Sequence, residues 1–167
     1  MRGSNAVSAL MALMCFHASR FDANEELIEK GNEYLSIALQ DRVLSRNHLE
    51  AAIAYWHTKK NDSKEKWEAI LLLYNRLLQL TYSPLAALNR VYALAKAKGK
   101  KVGIEEAEKL QLKKSHFYHL LLGHLYPGID DQKAMYHLQM ALKLAKTVYE
   151  KSRIGQDISK FSEIRLS

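Results

Sequence analysis

The chain has 167 residues, room for about one domain, of which 48% are hydrophobic and 26% are charged. This composition excludes a disordered chain, and 7 Gly with 2 Pro are too few for a turn-rich sandwich or barrel. Its single cysteine, Cys15, excludes an internal disulfide. No apolar run reaches the roughly 18 residues of a membrane span, so we expect a soluble, cytoplasmic, all-α protein.

The net charge is +7, from 25 Lys and Arg against 18 Asp and Glu. Lysines cluster at presumed helix ends, for example Lys96, Lys98, Lys100 and Lys101. The helix dipole favours cations at these ends, so solvated helix termini account for the charge. Because a nucleic-acid surface more often interleaves arginine with exposed aromatic residues, we expect no direct nucleic-acid binding by this chain.

The N-terminal half reads as a leader followed by three helices. Residues 1–6 resemble a vector-derived leader, since the chain opens with Met-Arg-Gly-Ser. Apolar spacing predicts a first helix over residues 7–20 and a third over residues 46–58. Between them, Asp22 and Glu25 have the spacing of a capping box and predict the start of the second helix.

Further helices follow with their own start and stop signals. Asp62 and Glu65 repeat the capping pattern before a fourth helix, and Ser83 followed by proline predicts the start of a fifth. Gly99 predicts its end. We expect three more helices: a short one at residues 104–110, one at 115–126, and a long one capped by Asp130 or Asp131. Residues 151–167 form a weaker helix or a tail in this interpretation.

Degenerate repeats indicate the architecture. The tetratricopeptide (TPR) pattern alternates large and small residues where paired helices cross. The opening positions of one unit are occupied by Trp67, Ile70, Leu71 and Tyr74. Those of a second unit are occupied by Leu122, Gly123 and Tyr126, and the pattern continues there with Ala134, Leu138 and Ala141. The two tyrosines lie 52 residues apart instead of about 34. We therefore predict a TPR-like domain over residues 7–150, a divergent array of stacked antiparallel helical hairpins whose groove suits peptide or protein binding.

No motif indicates catalysis or a bound metal. His116, His119 and His124 share one predicted helix, but zinc-binding spacings such as HExxH or paired CxxC are missing, so aromatic-like packing is the simpler interpretation. Glutamates such as Glu26, which has Lys30 four residues on, fit solvated helix faces. With no phosphate-binding glycine loop either, we expect a protein that is not an enzyme and has no cofactor.

The polar residues left over suggest a groove. Asn89 and Arg90 interrupt an apolar helix, so either they bind backbone at a hairpin junction or they face a groove. The candidate partner-binding groove comprises Asn75, Arg76, Asn89, Arg90, Tyr92 and His119.

A series of short motifs resembles the C-terminal extension of one group of extracytoplasmic-function (ECF) RNA polymerase sigma factors. The series comprises residues 9–20 (ALMALMCFHASR), residues 48–54 (HLEAAIA), Trp67, Ile70 and Tyr74, residues 83–90 (SPLAALNR), and residues 118–120 (YHL). Members of that group carry promoter- and core-polymerase-binding sigma regions upstream, followed by a TPR-like domain. The resemblance implies a bacterial regulator of transcription initiation that contacts the sigma regions of the same protein, RNA polymerase or a regulatory protein.

The chain departs from that group in two respects. It lacks the sigma regions, and it lacks a longer acidic stretch with a tryptophan after the first helix, because Phe21-Asp22-Ala23 leads almost directly into Asn24. Two alternatives remain open. One is a stand-alone TPR-like adaptor for a peptide or protein, and the other is a metal or small-molecule sensor using His116, His119 and His124.

Overall fold

The computed structural model describes residues 2–22, 24–40 and 43–166. Over these ranges the chain forms helices and no strand, which confirms the all-α class expected from the sequence. The helices in chain order are α1 (Arg2–Asp22), α2 (Glu25–Ala38), α3 (Arg46–Thr58), α4 (Lys64–Leu80), α5 (Pro84–Lys98), α6 (Lys100–Leu110), α7 (His116–Leu125), α8 (Asp131–Leu144) and α9 (Val148–Leu166). Short connections join them, so neighbours that pack together form antiparallel hairpins.

The chain divides into two compact units, and unit 1 comprises Met1–Ala86. Within it α1 packs against α2 and α3, and α3 packs against α4. A buried cluster joins the first three of these helices, consisting of Ala12, Phe16, Leu35, Ala51 and Ala54. The small alanines leave room for the large ring of Phe16, which is 1% exposed. This alternation of large and small residues is the packing that the repeat pattern predicts.

Unit 2 comprises Ala87–Ser167 and contains α5 from Ala87 onward together with α6 to α9. Successive helices pack in order, α6 on α7, α7 on α8, and α8 on α9. Its larger buried cluster includes Val91, Leu122 and Tyr126, with Phe161 of α9 packed against it. Burial of this apolar surface drives the helices together.

The repeat positions are buried where the sequence pattern predicts close helix crossings. On α7 and α8 the close approach lies at Gly123, where an added Cβ would be 2.7 Å from Leu138 Cδ2 and 3.2 Å from the Leu138 backbone nitrogen. A side chain at residue 123 would therefore push the two helices apart. The other pattern positions that are buried are Trp67, Ile70, Leu71 and Tyr74 on α4, Ala134 and Ala141 on α8, and Leu122 and Tyr126. The prediction of a divergent helical-hairpin array is confirmed.

Two of the predicted helix caps are confirmed. Ser83 Oγ accepts the amide of Ala86 at 3.0 Å, with Pro84 at the first helical position. The carboxylate of Asp130 accepts the amide of Lys133 at 3.0 Å. Both side chains satisfy amides that the first helical turn leaves unpaired.

Two other predicted caps are wrong. Asp22 is the last residue of α1, and the cap of α2 is Asn24, whose Oδ1 accepts the amide of Glu26. The hydroxyl of Ser63 accepts the amide of Lys66 at the start of α4, while Asp62 accepts from the ring nitrogen of a tryptophan. In both cases the residue directly before the helix, Asn24 or Ser63, is the one whose side chain accepts an amide of the first turn.

Helix α9 begins earlier than the predicted weak C-terminal helix at residues 151–167. The hydroxyl of Thr147 accepts the amide of Glu150 at 3.1 Å, and the Glu150 carboxylate accepts the amide of Thr147 at 3.0 Å. This reciprocal pair is a capping box, which starts the helix at Val148. The helix continues to Leu166. The domain boundaries at residues 7 and 150, and the leader over residues 1–6, stay predictions.

Candidate functional site

A surface cleft of about 430 Å³ lies within unit 2. Helices α5, α7, α8 and α9 line it, together with the first residue of α6 and the turn that follows α7. Its lining residues are Tyr92, Ala95, Lys96, Lys100, Gly123, His124, Leu125, Pro127, Leu138, Asp157, Lys160, Phe161 and Ile164. A cleft of this volume is in the range that binds small ligands or the side chains of a peptide.

The cleft combines apolar surface with positive charge. Leu125 and Leu138 are buried at 4% and 2% exposure, whereas Tyr92 is 39% exposed. Three lysines, Lys96, Lys100 and Lys160, line it against a single aspartate. A concave surface with one dominant charge sign attracts ligands of the opposite sign.

Polar contacts hold parts of the cleft in place. The ring of His124 on α7 lies 3.0 Å from the carboxylate of Asp157 on α9. Lys100 donates to the backbone carbonyl of Pro127 at 3.0 Å, which ties the start of α6 to the turn after α7. The lining as a whole is net positive, because it holds three lysines and a single aspartate.

The residues of the candidate groove fall in different parts of the molecule. Asn75 and Arg76 lie on α4 in unit 1, whereas Asn89, Arg90 and Tyr92 lie on α5 in unit 2. Of these only Tyr92 lines the cleft.

Asn89 and Arg90 have different environments on α5. Asn89 is exposed, whereas the Arg90 guanidinium lies 3.6 Å from the Glu106 carboxylate, so Arg90 joins α5 to α6. The sequence left open whether Arg90 binds backbone at a hairpin junction or faces a groove. In the structure its partner at the hairpin is a side chain, the carboxylate of Glu106.

His119, the sixth candidate groove residue, is buried at 3% exposure in a hydrogen-bonded pair. Its Nε2 is 3.0 Å from the Lys113 carbonyl, which requires an N–H there, and its Nδ1 is 2.8 Å from Nδ1 of His137. With a neutral imidazole at His119, its Nδ1 accepts and His137 Nδ1 donates. Both ring nitrogens are committed inside the unit, which leaves neither for a surface ligand.

The surroundings of His137 keep its ring neutral. Burial first, and then the neighbouring His119, lower the pKa of His137 from 6.5 to about 4. The ring of His137 stacks on Tyr126, whose hydroxyl donates to Glu108 at 2.6 Å. Burial and this carboxylate raise the pKa of Tyr126. The ring of His137 is thus a neutral part of a hydrogen-bonded network inside unit 2.

The three helix α7 histidines do not converge. His116 lies 3.5 Å from Glu150, His119 pairs with His137, and His124 pairs with Asp157. In the part of the chain that the structure describes, no group of three His, Cys, Asp or Glu side chains is placed to hold a metal ion. No described helix has the length and apolarity needed to cross a membrane.

Sequence reasoning missed the contribution of α9 to the cleft. Asp157, Lys160 and Phe161 come from the segment interpreted as a weak helix or tail. Two signals could have identified it, namely the Thr147–Glu150 capping box and the helical spacing of Ile154, Ile158 and Phe161. Ile154 is 2% exposed, as that spacing would predict for an inward-facing residue.

The chain is similar to an uncharacterized protein of Rhizobium meliloti (strain 1021). The two are 31% identical over an alignment of 138 residues, and the match covers 71% of this chain and 33% of that protein. The match therefore spans about a third of the relative and leaves two thirds of it outside. No protein-family profile matches the chain, and no solved structure matches it.

Proposed function

We propose that this chain is a non-catalytic regulatory domain of an ECF-type RNA polymerase sigma factor, which modulates transcription initiation through protein contacts. The observation that carries the proposal is the cleft of unit 2, a concave, partly apolar surface built by packed helical hairpins. Hairpin arrays use such concave surfaces to bind peptides and proteins. The motif series that resembles the sigma-factor extension supplies the transcriptional context.

The uncharacterized relative supports a place within a larger protein. The match covers 33% of that protein, so other segments account for most of its length. A sigma factor with a C-terminal extension has this organisation, because the sigma regions and the extension are separate domains. In the proposal the partners are the sigma regions of the same protein, RNA polymerase or a regulatory protein, and the site of action is the cytoplasm.

A non-catalytic role fits the chemistry of the cleft. None of its lining residues is a serine, threonine or cysteine, the usual nucleophiles of covalent catalysis. Its His124–Asp157 pair orients an imidazole, but the lining holds no serine or threonine hydroxyl and no cysteine thiol for that base. The proposal also assigns no cofactor and no direct nucleic-acid contact to this chain.

The first test is to sequence the source gene upstream of the Val7 codon. The proposal predicts an in-frame sigma region there. A start codon with its own ribosome-binding site would instead contradict it and favour the stand-alone TPR-like adaptor. A pull-down for a separate partner would then be the next experiment.

The second test measures promoter output in cells that carry the full-length sigma factor. We expect Tyr92→Ala and Lys160→Ala, which alter exposed side chains of the cleft, to change output without loss of folding. Lys151→Ala on the exposed side of α9 is the matched control, because it lies outside the cleft. Unchanged output for both test variants would refute a role for this surface.

A further inference from the structure

The charge and shape of the cleft define the chemistry of its occupant. Lys96 of α5, Lys100 of α6 and Lys160 of α9 bring positive charge to it from three helices. The one carboxylate in the lining, Asp157, lies 3.0 Å from a ring nitrogen of His124. An occupant must therefore supply negative charge at the lysines to complement the cleft.

The apolar part of the cleft requires more than a charge. Tyr92 of α5 and Phe161 and Ile164 of α9 line the same space that the lysines line, and Tyr92 and Ile164 are 39% and 73% exposed. Binding is favoured when a large apolar group displaces water from the apolar side chains that line a concave surface. A fitting occupant therefore carries at least one bulky aliphatic or aromatic side chain between its negative charges.

The lining favours a peptide over a nucleic acid. Single-stranded nucleic acid is bound by a positively charged groove that follows the phosphates, with aromatic side chains on which bases stack. Here no arginine is among the lining residues, and the aromatic residues Tyr92 and Phe161 share the lining with the exposed aliphatic Ile164. Carboxylates that flank an apolar side chain match this mixture better than a continuous phosphate chain does.

We propose that the cleft of unit 2 binds an acidic peptide segment that inserts one large apolar side chain. This inference rests on the proposed protein-interaction function and specifies its ligand class. The carboxylates of the segment pair with the lysines, and its apolar side chain packs against Tyr92, Phe161 and Ile164. Such a segment belongs to the partner protein, so its sequence has glutamate or aspartate on both sides of a leucine or phenylalanine.

The experiment measures binding of a fluorescently labelled 12-residue peptide to the full chain by anisotropy. The peptide has a central Phe-Leu pair flanked by glutamates, and the control peptide has glutamine at each glutamate. We expect the acidic peptide to bind more tightly, and we expect Lys160→Glu to weaken it by roughly fivefold or more. The matched variant is Lys151→Glu, which makes the same charge change on α9 outside the cleft and leaves binding unchanged.

Several outcomes would overturn the inference. One is equal binding of the acidic and glutamine peptides, and another is equal weakening by Lys160→Glu and Lys151→Glu. A third is tighter binding of a 12-nucleotide single-stranded DNA than of the acidic peptide. Circular dichroism of both variants controls for folding, which we expect to be intact because Lys160 and Lys151 are exposed.

The same variants separate this inference from the sigma-factor proposal. If Lys160→Glu weakens the peptide but leaves promoter output of the full-length factor unchanged, the ligand class stands and the transcriptional role fails. If promoter output changes while no acidic peptide binds, the transcriptional role stands and the ligand class fails.

Discussion

The two units are held by polar contacts of different range. In unit 1 three ion pairs each join residues four apart on a single helix, namely Lys30 with Glu26, Arg46 with Glu50, and Lys64 with Glu68. In unit 2, among the described residues, Lys109 and Glu106 pair within α6, but three pairs join different helices, namely Arg90 with Glu106, His116 with Glu150, and His124 with Asp157. Sequence spacing predicts the first kind, as it did for Glu26 with Lys30, whereas the second kind depends on tertiary packing.

Buried polar groups show the same difference. In unit 1 the Lys66 ammonium donates to the Lys59 carbonyl at 2.6 Å, only seven residues away. In unit 2 the hydroxyl of Tyr126 donates to Glu108, and His119 bonds to His137, each eighteen residues away. Because polar contacts between helices restrict how those helices pack, unit 2 is the better place for a surface of defined shape.

The largest expected effect concerns a feature that the two units share, a glycine at a close helix approach. An added Cβ would lie 2.5 Å from a ring carbon of Phe16 at Gly31 and 2.7 Å from Leu138 at Gly123. We expect Gly31→Ala and Gly123→Ala each to lower the free energy of unfolding by about 1–3 kcal/mol. Urea denaturation followed by circular dichroism measures the change.

The control for this prediction is Gly155→Ala on α9. An added Cβ there meets nothing within 4 Å, so the alanine gains helix propensity without a clash. We expect it to raise the free energy of unfolding by about 0.5–1 kcal/mol. If Gly123→Ala raised the free energy of unfolding as Gly155→Ala does, α7 and α8 would not be closely packed at Gly123.

The next effect is a pH dependence to which each unit contributes one histidine. Burial lowers the pKa of His57 in unit 1 and of His137 in unit 2 from 6.5 to about 4. As the pH falls, the unfolded chain therefore binds protons before the folded chain does. The stability that these neutral rings contribute is complete above pH 6.5 and is lost progressively towards pH 4.

Solvent screening reduces the full linkage value at these half-buried rings. We expect each histidine to account for about 1 kcal/mol of stability lost between pH 7 and pH 5. Urea titrations of His57→Gln and His137→Gln at several pH values measure each share, and the double variant should lose both. A double variant whose stability falls as steeply over this range as that of the parent chain would contradict the assignment.

The parts of the fold that the sequence predicted are those governed by local signals. Helix α3 has the predicted bounds, and Ser83 with Pro84 begins α5, because spacing and capping chemistry are local. The errors at Asp22 and Asp62 are also local, since another capping residue, Asn24 or Ser63, follows each of them within two residues and caps the helix instead. Local patterns therefore identify the helices well and their first residues less well.

The cleft was harder to predict because it depends on contacts distant in sequence. Tyr92 was among the predicted groove residues and lines the cleft, but Asp157 and Lys160 approach it only after α9 packs in unit 2. His119 illustrates the opposite limit, because its polarity suggested an exposed role and its partner His137 could not be inferred from spacing. Local signals could identify α9 as a helix, but nothing within one helix shows which other helices it will meet.

The smallest effect compares an ion pair of each kind. Arg90 and Glu106 join α5 to α6 at 3.6 Å, and Lys109 also contacts Glu106 at 2.6 Å, so Glu106 keeps a partner when Arg90 is removed. Arg46 and Glu50 lie on one helix at 2.8 Å, with the arginine 66% exposed. We expect Arg90→Ala and Arg46→Ala each to cost about 0.5 kcal/mol or less, as partly exposed pairs do.

A double-mutant cycle with Glu106→Gln measures the coupling of Arg90 to its partner, and Glu50→Gln does so for Arg46. If the Arg90 coupling exceeded about 1 kcal/mol, the pair would be a structural link between α5 and α6, beyond the value typical of exposed pairs. A small coupling has a further use, because Arg90→Ala would then leave the fold intact. Any change that this variant makes to promoter output would in that case report a lost contact with a partner.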